Sequence, residues 1–283
     1  MAATDTKKRD IIKNYMGGHN MRKNNIDGGN TFDWGKTSKN YAKYRDIYPN
    51  EFYKRIVDLG LCIKGQNVLD LGTGTGVLPR NLYRFGAKFI GADISENQIN
   101  EARKLSQNNG MDINYIVASA EDVNFPERSF DVITACQCFQ YFNTKITLPK
   151  IHDMLKDDGR FCILWMAWLP DEDKIAGMSE NLVLKYNPSW TGAGEKRSGQ
   201  SIPGWAKSLF EVKNSIVYDI NVPFTRESWH GRMKACRGIG ASSLSDEAIA
   251  EFDKEHIKIL SEVPETFDIL HYVAILDLQK KVS

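Results

Sequence analysis

Three glycines occupy alternate positions directly after a short apolar run. The run is Val68 to Leu71, and the glycines are Gly72, Gly74 and Gly76. Glycine lets the backbone turn tightly and approach a ligand closely. The helix predicted to follow presents free N–H groups at its start, and these suit a carboxylate or a phosphate. The segment therefore predicts a turn that binds a nucleoside-type ligand.

An acidic residue ends the next predicted strand. Asp93 lies 17 residues after Gly76. In a βαβ unit this spacing brings its carboxylate to the neighbouring strand end, where it can accept hydrogen bonds from ribose hydroxyls. The alternative role is a helix N-cap, which Ser95 can fill instead. We therefore interpret Asp93 as a ribose contact.

The glycine spacing argues against a dinucleotide. The fingerprint G-x-G-x-x-G counted from Gly72 requires glycine where Val77 stands, and counted from Gly74 it meets Pro79. The sequence has G-x-G-x-G after Asp70 instead. An NAD-dependent oxidoreductase is thus the less favoured alternative.

Residues 68–76 resemble motif I of the class I S-adenosylmethionine-dependent methyltransferases, in particular the broad type 11 small-molecule group. The resemblance covers about residues 41–165, where residues 130–133 are similar to the family's fourth strand and residues 155–160 to the turn before its fifth. It implies a Rossmann-like methyltransferase fold, S-adenosyl-L-methionine as cofactor and S-adenosyl-L-homocysteine as product. It also implies an enzyme that transfers the methyl group to a small-molecule acceptor by in-line displacement. A catalytically silent cofactor-binding module is the alternative.

The resemblance assigns the cofactor contacts to a covering N-terminal helix, the glycine turn, the ribose acid and the segment beside the adenine. The predicted cofactor-binding residues are Tyr41, Arg45, Asp70, Gly72, Thr73, Gly74, Gly76, Asp93, Ile94, Gln98, Ala120, Glu121, Asp122 and Cys136. A guanidinium at Arg45 can pair with the cofactor's carboxylate. In the alternative interpretation, the tyrosines of this helix only pack it onto the core and Arg45 makes a surface ion pair.

Residues after the fourth and fifth strands are candidates for the acceptor side, because ligands bind beyond the carboxyl ends of the strands of an open parallel sheet. The predicted catalytic residues are Gln137, Tyr141 and His230. Gln137 and Tyr141 follow the fourth strand. His230 is a candidate base, since the unperturbed pKa of histidine is about 6.5, and a structural role is its alternative.

The predicted acceptor-binding residues are Trp165, Trp168, Arg226, Trp229 and Arg232. The two arginines suit an anionic acceptor, and Trp165 and Trp168 either wall a pocket or pack under the insertion. A thiolate site for a metal or metalloid at Cys136 and Cys138 is the alternative to ordinary burial of small apolar side chains. We assign no residue to a metal.

Strands and helices alternate from residue 67 to residue 165, which predicts a parallel sheet covered on both faces. We predict an α/β fold: a doubly wound, mostly parallel seven-stranded sheet with a helical lid insertion after strand five. The predicted parts are a flexible N-terminal segment (1–32), a cofactor-binding core with its cap helix (33–168), a lid and substrate insertion (169–212) and a C-terminal completion of the sheet (213–283).

Composition limits the other function classes. The chain has 283 residues and a formal net charge of +1, which gives no electrostatic argument for a nucleic acid partner. No stretch approaches the roughly 20 apolar residues of a membrane span. The five cysteines are not spaced as a disulfide framework. We therefore expect a cytoplasmic monomer or homodimer that works on a small molecule, without a nucleic acid or membrane partner.

Overall fold

One seven-stranded sheet organises the protein, and the computed structural model describes residues 26–282. The strand order is β3-β2-β1-β4-β5-β7-β6. The strands are β1 (Asn67–Leu71), β2 (Lys88–Asp93), β3 (Asn114–Val117), β4 (Phe130–Cys136), β5 (Leu155–Trp168), β6 (Phe210–Thr225) and β7 (Thr266–Lys280). The α-helices of the described residues are α1 (Ser38–Tyr44), α2 (Asn50–Asp58), α3 (Val77–Leu82), α4 (Glu96–Asn108), α5 (Thr144–Met154), α6 (Lys174–Tyr186), α7 (Arg226–Lys234) and α8 (Asp246–Leu260).

Strands β1 to β5 pair in parallel, and β7 pairs antiparallel with both β5 and β6. The order reverses between β1 and β4, which is the switch point where open α/β sheets bind ligands. The predicted doubly wound, mostly parallel seven-stranded sheet is therefore confirmed.

The central strands are apolar along most of their length because helices cover both faces of the sheet. In β1 only Asn67 is exposed, and the other four residues are buried. Two large apolar clusters result, one for each face: Val68 belongs to the first, and Leu69 and Leu71 belong to the second. The sheet is thus a rigid base for the loops at its carboxyl edge.

Helix α4 has the bounds that the sequence predicts, because both of its ends carry clear signals. The Ser95 hydroxyl accepts a hydrogen bond from the backbone N–H of Gln98 at the N-terminus. Asn109 and Gly110 follow its last residue, and Gly110 has a φ of 63°.

Aromatic and apolar residues recur at helical spacing over residues 33–58, but the structure interrupts the helix there. A 3₁₀ turn at Trp34–Thr37 leads into α1, the chain leaves the helix after Tyr44, and α2 begins at Asn50. Pro49 is the N-cap of α2 in extended conformation. Proline disfavours helical geometry in the residue before it, which explains the break.

The segment after β5 contains more regular structure than its glycine and proline content indicates. Helix α6 has 13 residues, and the Asp173 carboxylate accepts hydrogen bonds from the backbone N–H groups of Ile175 and Ala176 at its start. The chain from 187 to 203 then has no helix or strand. The function of this segment as a lid stays a prediction.

The predicted flexible segment 1–32 lies mostly outside the described residues, which begin at Ile26. Its described part packs on the body of the protein: Phe32 is buried, and the Asp27 carboxylate accepts a hydrogen bond of 2.8 Å from the backbone N–H of Thr191. Among residues 26–282, no helix combines the length and apolar character that a bilayer span requires.

Candidate functional site

The glycine turn joins β1 to α3 at the carboxyl edge of the sheet. Gly72, Gly74 and Gly76 all have positive φ, at 65°, 56° and 74°. At Gly72 an added Cβ would lie 2.6 Å from the Cys138 sulfur, which is too close for any other residue. The backbone therefore comes nearer to the segment that follows β4 than a side chain would allow.

The carboxylate of Asp93 is held against this turn by two backbone donors. The N–H of Gly74 donates to Oδ2 at 2.8 Å, and the N–H of Ser95 donates to Oδ1 at 2.9 Å. Asp93 therefore fixes the turn as well as facing the ligand space. Ser95 caps α4, as the sequence analysis expects, so the carboxylate of Asp93 is not needed for that role.

A cleft opens above the turn. We call it the glycine-turn cleft. Its lining residues are Trp34, Arg45, Gly72, Gly74, Asp93, Ile94, Gln98, Ala118, Ser119, Ala120, Glu121, Cys136, Gln137, Cys138, Tyr141 and Phe142. Most of the predicted cofactor residues, and two of the three predicted catalytic ones, are in this set.

Some predicted cofactor residues do not line this cleft. Asp70 is 1% exposed beneath the turn, where the Thr134 hydroxyl donates to it at 2.6 Å. Burial raises the pKa of its carboxyl group to about 6. Thr73 and Gly76 support the turn through the backbone bond from Gly76 N–H to the Thr73 carbonyl.

Asp122 also lies away from the lining: its carboxylate accepts a hydrogen bond of 2.7 Å from the Ser119 hydroxyl, and Ser119 in turn lines the cleft. The side chain of Tyr41 is outside the described part of the structure. Ala118, Cys138 and Phe142 line the cleft but are not among the predicted cofactor-binding residues, whereas Ser119 belongs to the segment predicted beside the adenine and Trp34 to the aromatic group of the predicted cap helix. The Gln98 amide donates to the Trp34 carbonyl at 3.0 Å, which holds Trp34 at the cleft.

A second cavity, of about 970 Å³, adjoins the first. We call it the tryptophan pocket. Its lining residues are Ile26, Trp34, Arg45, Gln137, Gln140, Tyr141, Trp165, Met166, Ala167, Trp168, Trp190, Thr191, Gly192, Glu195, Arg232, Cys236 and Arg237. It shares four residues with the glycine-turn cleft: Trp34, Arg45, Gln137 and Tyr141. These four form the boundary between the two cavities.

Gln137 has an unusual backbone conformation at this boundary. Its φ is 64°, in the left-handed region that non-glycine residues rarely occupy. Its N–H donates to the Leu164 carbonyl at 2.9 Å, and its side-chain amide donates to the Met166 carbonyl. Residues held in such strained conformations concentrate at functional sites. The strain therefore supports the predicted role of Gln137.

Tyr141 lies across the same boundary with a buried hydroxyl. Burial raises the pKa of the Tyr141 phenol, and the nearby guanidinium groups of Arg237 and Arg45 oppose that rise. The phenol is therefore neutral near pH 7 and can act as a hydrogen-bond donor.

Three of the predicted acceptor-binding residues, Trp165, Trp168 and Arg232, line the tryptophan pocket. The guanidinium of Arg232 lies 4.8 Å from the centre of the Trp168 ring. The Trp165 indole donates to the Glu195 carboxylate at 3.0 Å, and the Trp168 indole donates to Glu180 at 2.7 Å. Both rings are therefore fixed in orientation by acidic partners.

The structure places three other predicted residues away from both cavities. Trp229 is fully buried behind Trp168 and donates to the Ser179 hydroxyl at 2.8 Å. Arg226 binds the Val263 carbonyl through its guanidinium, at 2.9 Å from Nε. His230 faces His256, with 2.9 Å between their Nδ1 atoms.

Burial lowers the pKa of His230, and that of His256 falls to about 3 for the same reason. Both imidazoles are thus neutral near pH 7, and His230 belongs to a buried network instead of facing either cavity. Consecutive residues of α7 point about 100° apart, so only one face of this helix can line a cavity. The sequence alone does not show which face that is.

The cysteines behave as protonated thiols. Burial raises the pKa of Cys136, which opens onto the glycine-turn cleft, to about 12, and it raises the pKa of Cys138 as well. Metal binding requires the thiolate form. Within residues 26–282, no three His, Cys, Asp or Glu side chains come together in an arrangement that suits a metal ion.

Comparisons with known proteins agree with this geometry. A family described as a methyltransferase domain matches residues 68–159. A methyltransferase-like protein of Dictyostelium discoideum is 30% identical over 132 residues, which are 47% of this chain and 48% of that relative. The ubiquinone biosynthesis O-methyltransferase of Bradyrhizobium diazoefficiens is 30% identical over 148 residues, which are 52% of this chain and 58% of the relative.

The uncharacterized methyltransferase YcgJ of Bacillus subtilis is 27% identical over 203 residues, which are 68% of this chain and 76% of its own. Its crystal structure superimposes with a TM-score of 0.53 at 19% identity and covers 83% of this chain and 100% of that one. At this identity the structural likeness concerns the fold. The chain spans about half the length of the Dictyostelium relative.

Three features are together typical of nucleoside-binding α/β proteins: the glycine turn after β1, the aspartate at the end of β2 and the strand order. Residues 68–159 match the methyltransferase domain family, and the chain is similar to curated methyltransferases over about half of its length.

Proposed function

We propose that the protein transfers a methyl group from S-adenosylmethionine to a small-molecule acceptor. The observation that carries the proposal is the pair of adjoining cavities with a shared boundary of four residues. A methyl transfer needs this layout, because donor and acceptor must meet in line while each keeps its own binding surface.

The glycine-turn cleft fits the cofactor in charge and in polarity. The Arg45 guanidinium suits the carboxylate of the amino acid part, and the Asp93 carboxylate suits the ribose hydroxyls. Ile94, Ala118 and Phe142 offer an apolar surface for the adenine ring. When bound, the cofactor supplies a methyl group that its sulfonium already activates.

The side chains at the boundary then have positioning roles. In the transfer, an acceptor lone pair forms a bond to the methyl carbon while the carbon–sulfur bond breaks, and the bonding electrons stay on sulfur. Gln137 and Tyr141 orient the acceptor atom and exclude water at this point. The proton lost by the acceptor leaves to solvent or to the acceptor's own basic group, since His230 does not face either cavity.

The acceptor and the segment 169–212 are assigned to the same scheme as proposals. The named activity of the Bradyrhizobium relative is consistent with a small acceptor. The segment 169–212 supplies Trp190, Thr191, Gly192 and Glu195 to the tryptophan pocket. We propose that this segment selects the acceptor and closes over it.

Calorimetric titration with S-adenosylmethionine tests the donor side. Replacing Asp93 with alanine removes the acceptor for two backbone donors and for the ribose, so we expect at least about tenfold weaker binding. Asp112→Ala is the matched control, because Asp112 is exposed beside the opposite end of the neighbouring strand β3. An unchanged affinity of Asp93→Ala for S-adenosylmethionine would refute the ribose assignment.

A turnover screen tests the reaction itself. The wild-type protein is incubated with S-adenosylmethionine and panels of thiols, amines and acids, and S-adenosylhomocysteine is measured. Release that depends on an acceptor supports the proposal. Cofactor binding without release for any acceptor favours the silent binding module, and binding of NADH in place of S-adenosylmethionine favours the oxidoreductase.

A further inference from the structure

The charges of the tryptophan pocket point to the chemical class of the acceptor. Arg45, Arg232 and Arg237 line it, and Glu195 is its single acidic lining residue among those described. The Glu195 carboxylate and the Asp27 carboxylate behind Arg237 offset two of these three positive charges, which leaves a formal excess of one positive charge. Such a wall favours an anion over a neutral or cationic compound of the same shape.

Burial makes these charges more effective. Arg232 is 5% exposed, and the Arg237 side chain is 11% exposed. Charges in such low-dielectric surroundings interact several times more strongly than in water. The Asp27 carboxylate, 3.4 Å from Arg237, holds that guanidinium in place at the pocket wall.

The same positive charges influence the pKa values of neighbouring titratable groups. Burial is the largest influence on the thiol of Cys236 and raises its pKa, but the positive charge of Arg232 opposes the rise. The phenol of Tyr141 likewise has burial as its largest influence, opposed by Arg237 and Arg45. The field therefore reaches both the inner wall of the pocket and its boundary with the cleft.

The acidic lining residue is occupied in fixing the wall. Glu195 Oε1 accepts hydrogen bonds from the Trp165 indole and from the Tyr272 hydroxyl. These bonds orient the Trp165 ring along the pocket. The Glu195 carboxylate thereby fixes the aromatic wall of the pocket, and its negative charge offsets one of the three positive charges.

The other walls of the pocket are flat and apolar. Trp34, Tyr141, Trp165, Trp168 and Trp190 surround the space. Aromatic rings favour planar partners that stack or meet them edge to face.

We propose that the acceptor is a small anion with a planar apolar body, and that the buried Arg232 and Arg237 hold its carboxylate-type group in the tryptophan pocket. This inference rests on the proposed function, because it assigns the acceptor of the same site. The planar body then lies along the tryptophans and presents the accepting atom at the boundary formed by Gln137 and Tyr141.

Calorimetry with matched probes tests the charge assignment. The protein is first titrated with S-adenosylhomocysteine, and the saturated complex is then titrated with 4-hydroxybenzoate, 4-hydroxybenzamide, phenylacetate and phenylacetamide. We expect each acid to bind at least about tenfold more tightly than its amide, as one charge-assisted hydrogen-bonded pair provides. Arg232→Gln should clearly reduce this ratio, because only Arg237 then remains to hold the carboxylate, and Arg232→Lys should reduce it less.

Arg55→Gln is the matched control. The Arg55 guanidinium also lies over an aromatic ring, 4.9 Å from the centre of Tyr218, but it lines neither cavity. We expect the full preference for acids in this variant. The preference of the wild-type protein for acids over amides needs no variant, so this part of the test is protected against misfolding.

The outcomes separate the two proposals. If S-adenosylhomocysteine binds but the amides bind as well as the acids, the anionic acceptor is refuted and the methyltransferase proposal stands. The anionic acceptor is likewise refuted if none of the four probes binds, or if Arg232→Gln keeps the wild-type ratio. If S-adenosylhomocysteine itself does not bind, the proposed function fails and this inference fails with it.

Discussion

Replacing Gln137 separates the backbone strain at the boundary of the two cavities from the function of the side chain. Its φ of 64° costs a non-glycine residue about 1–2 kcal/mol, whereas glycine at the same place loses about 0.5–1 kcal/mol in extra chain entropy. Gln137→Ala keeps the strain and Gln137→Gly relieves it, while both remove the amide that donates to the Met166 carbonyl. Glycine should therefore be more stable than alanine at this position by about 1 kcal/mol, or about 2 to 3 °C in Tm.

Activity should not follow stability in this pair. If the Gln137 side chain positions the acceptor, both variants lose kcat to a similar extent, although the glycine variant is the more stable. Arg128 provides the matched control, since it also has a positive φ (58°) but lies on the surface in an ion pair with Asp157. Arg128→Gly should gain the same stability over Arg128→Ala without any change in turnover.

Thermal unfolding and S-adenosylhomocysteine release measure the two quantities separately. Wild-type turnover in both Gln137 variants would refute the role of the side chain. An alanine variant that is more stable than the glycine variant would refute the argument from strain. The two results are independent, so either half of the reasoning can fail alone.

Two further predictions concern the glycine turn. Gly72→Ala should weaken S-adenosylhomocysteine binding at least about tenfold, because its Cβ would lie 2.6 Å from the Cys138 sulfur. Gly110→Ala is the control: Gly110 has a similar φ and no neighbour within 4 Å, so this variant should lose only stability. Equal affinities of the two variants in a calorimetric titration would contradict the steric argument. The pKa of Asp70 is raised to about 6 in the folded protein, so its favourable contribution is complete below about pH 4 and is lost as the pH rises through 6. Urea unfolding should therefore show the wild type losing about 2–3 kcal/mol relative to Asp70→Asn between about pH 4 and pH 7, and a difference that grows in the opposite direction would refute the assignment.

The parallel half of the sheet was predictable because its signals are local. The apolar run of β1 meets a glycine turn directly, and Ser95 and Gly110 mark the ends of α4. The interruption before α2 was not predictable from periodicity, because aromatic spacing continues through Pro49. In that region the periodic pattern reflects packing on either side of a turn.

The glycine-turn cleft was more predictable than the tryptophan pocket for the same reason. Its residues sit at strand ends, and strand ends of a parallel sheet meet at one edge. Arg237 and Glu195 reach the tryptophan pocket from loops, whose paths carry no periodic signal. On α7, Arg232 lines the pocket while Trp229 and His230 do not, and only the packing of α7 decides which face turns inward.

The position of β7 has a consequence for how the protein assembles during synthesis. This strand comes after every other strand in the chain, yet it lies between β5 and β6. Until it is made, β5 is an edge strand with an unpaired row of backbone groups, and β6 has no sheet to join. We expect the five parallel strands, with the glycine-turn cleft, to assemble first as the chain is made, and the wall that holds the acceptor to form last. The growing chain is therefore exposed to mispairing at β5, next to the tryptophans that come to select the acceptor.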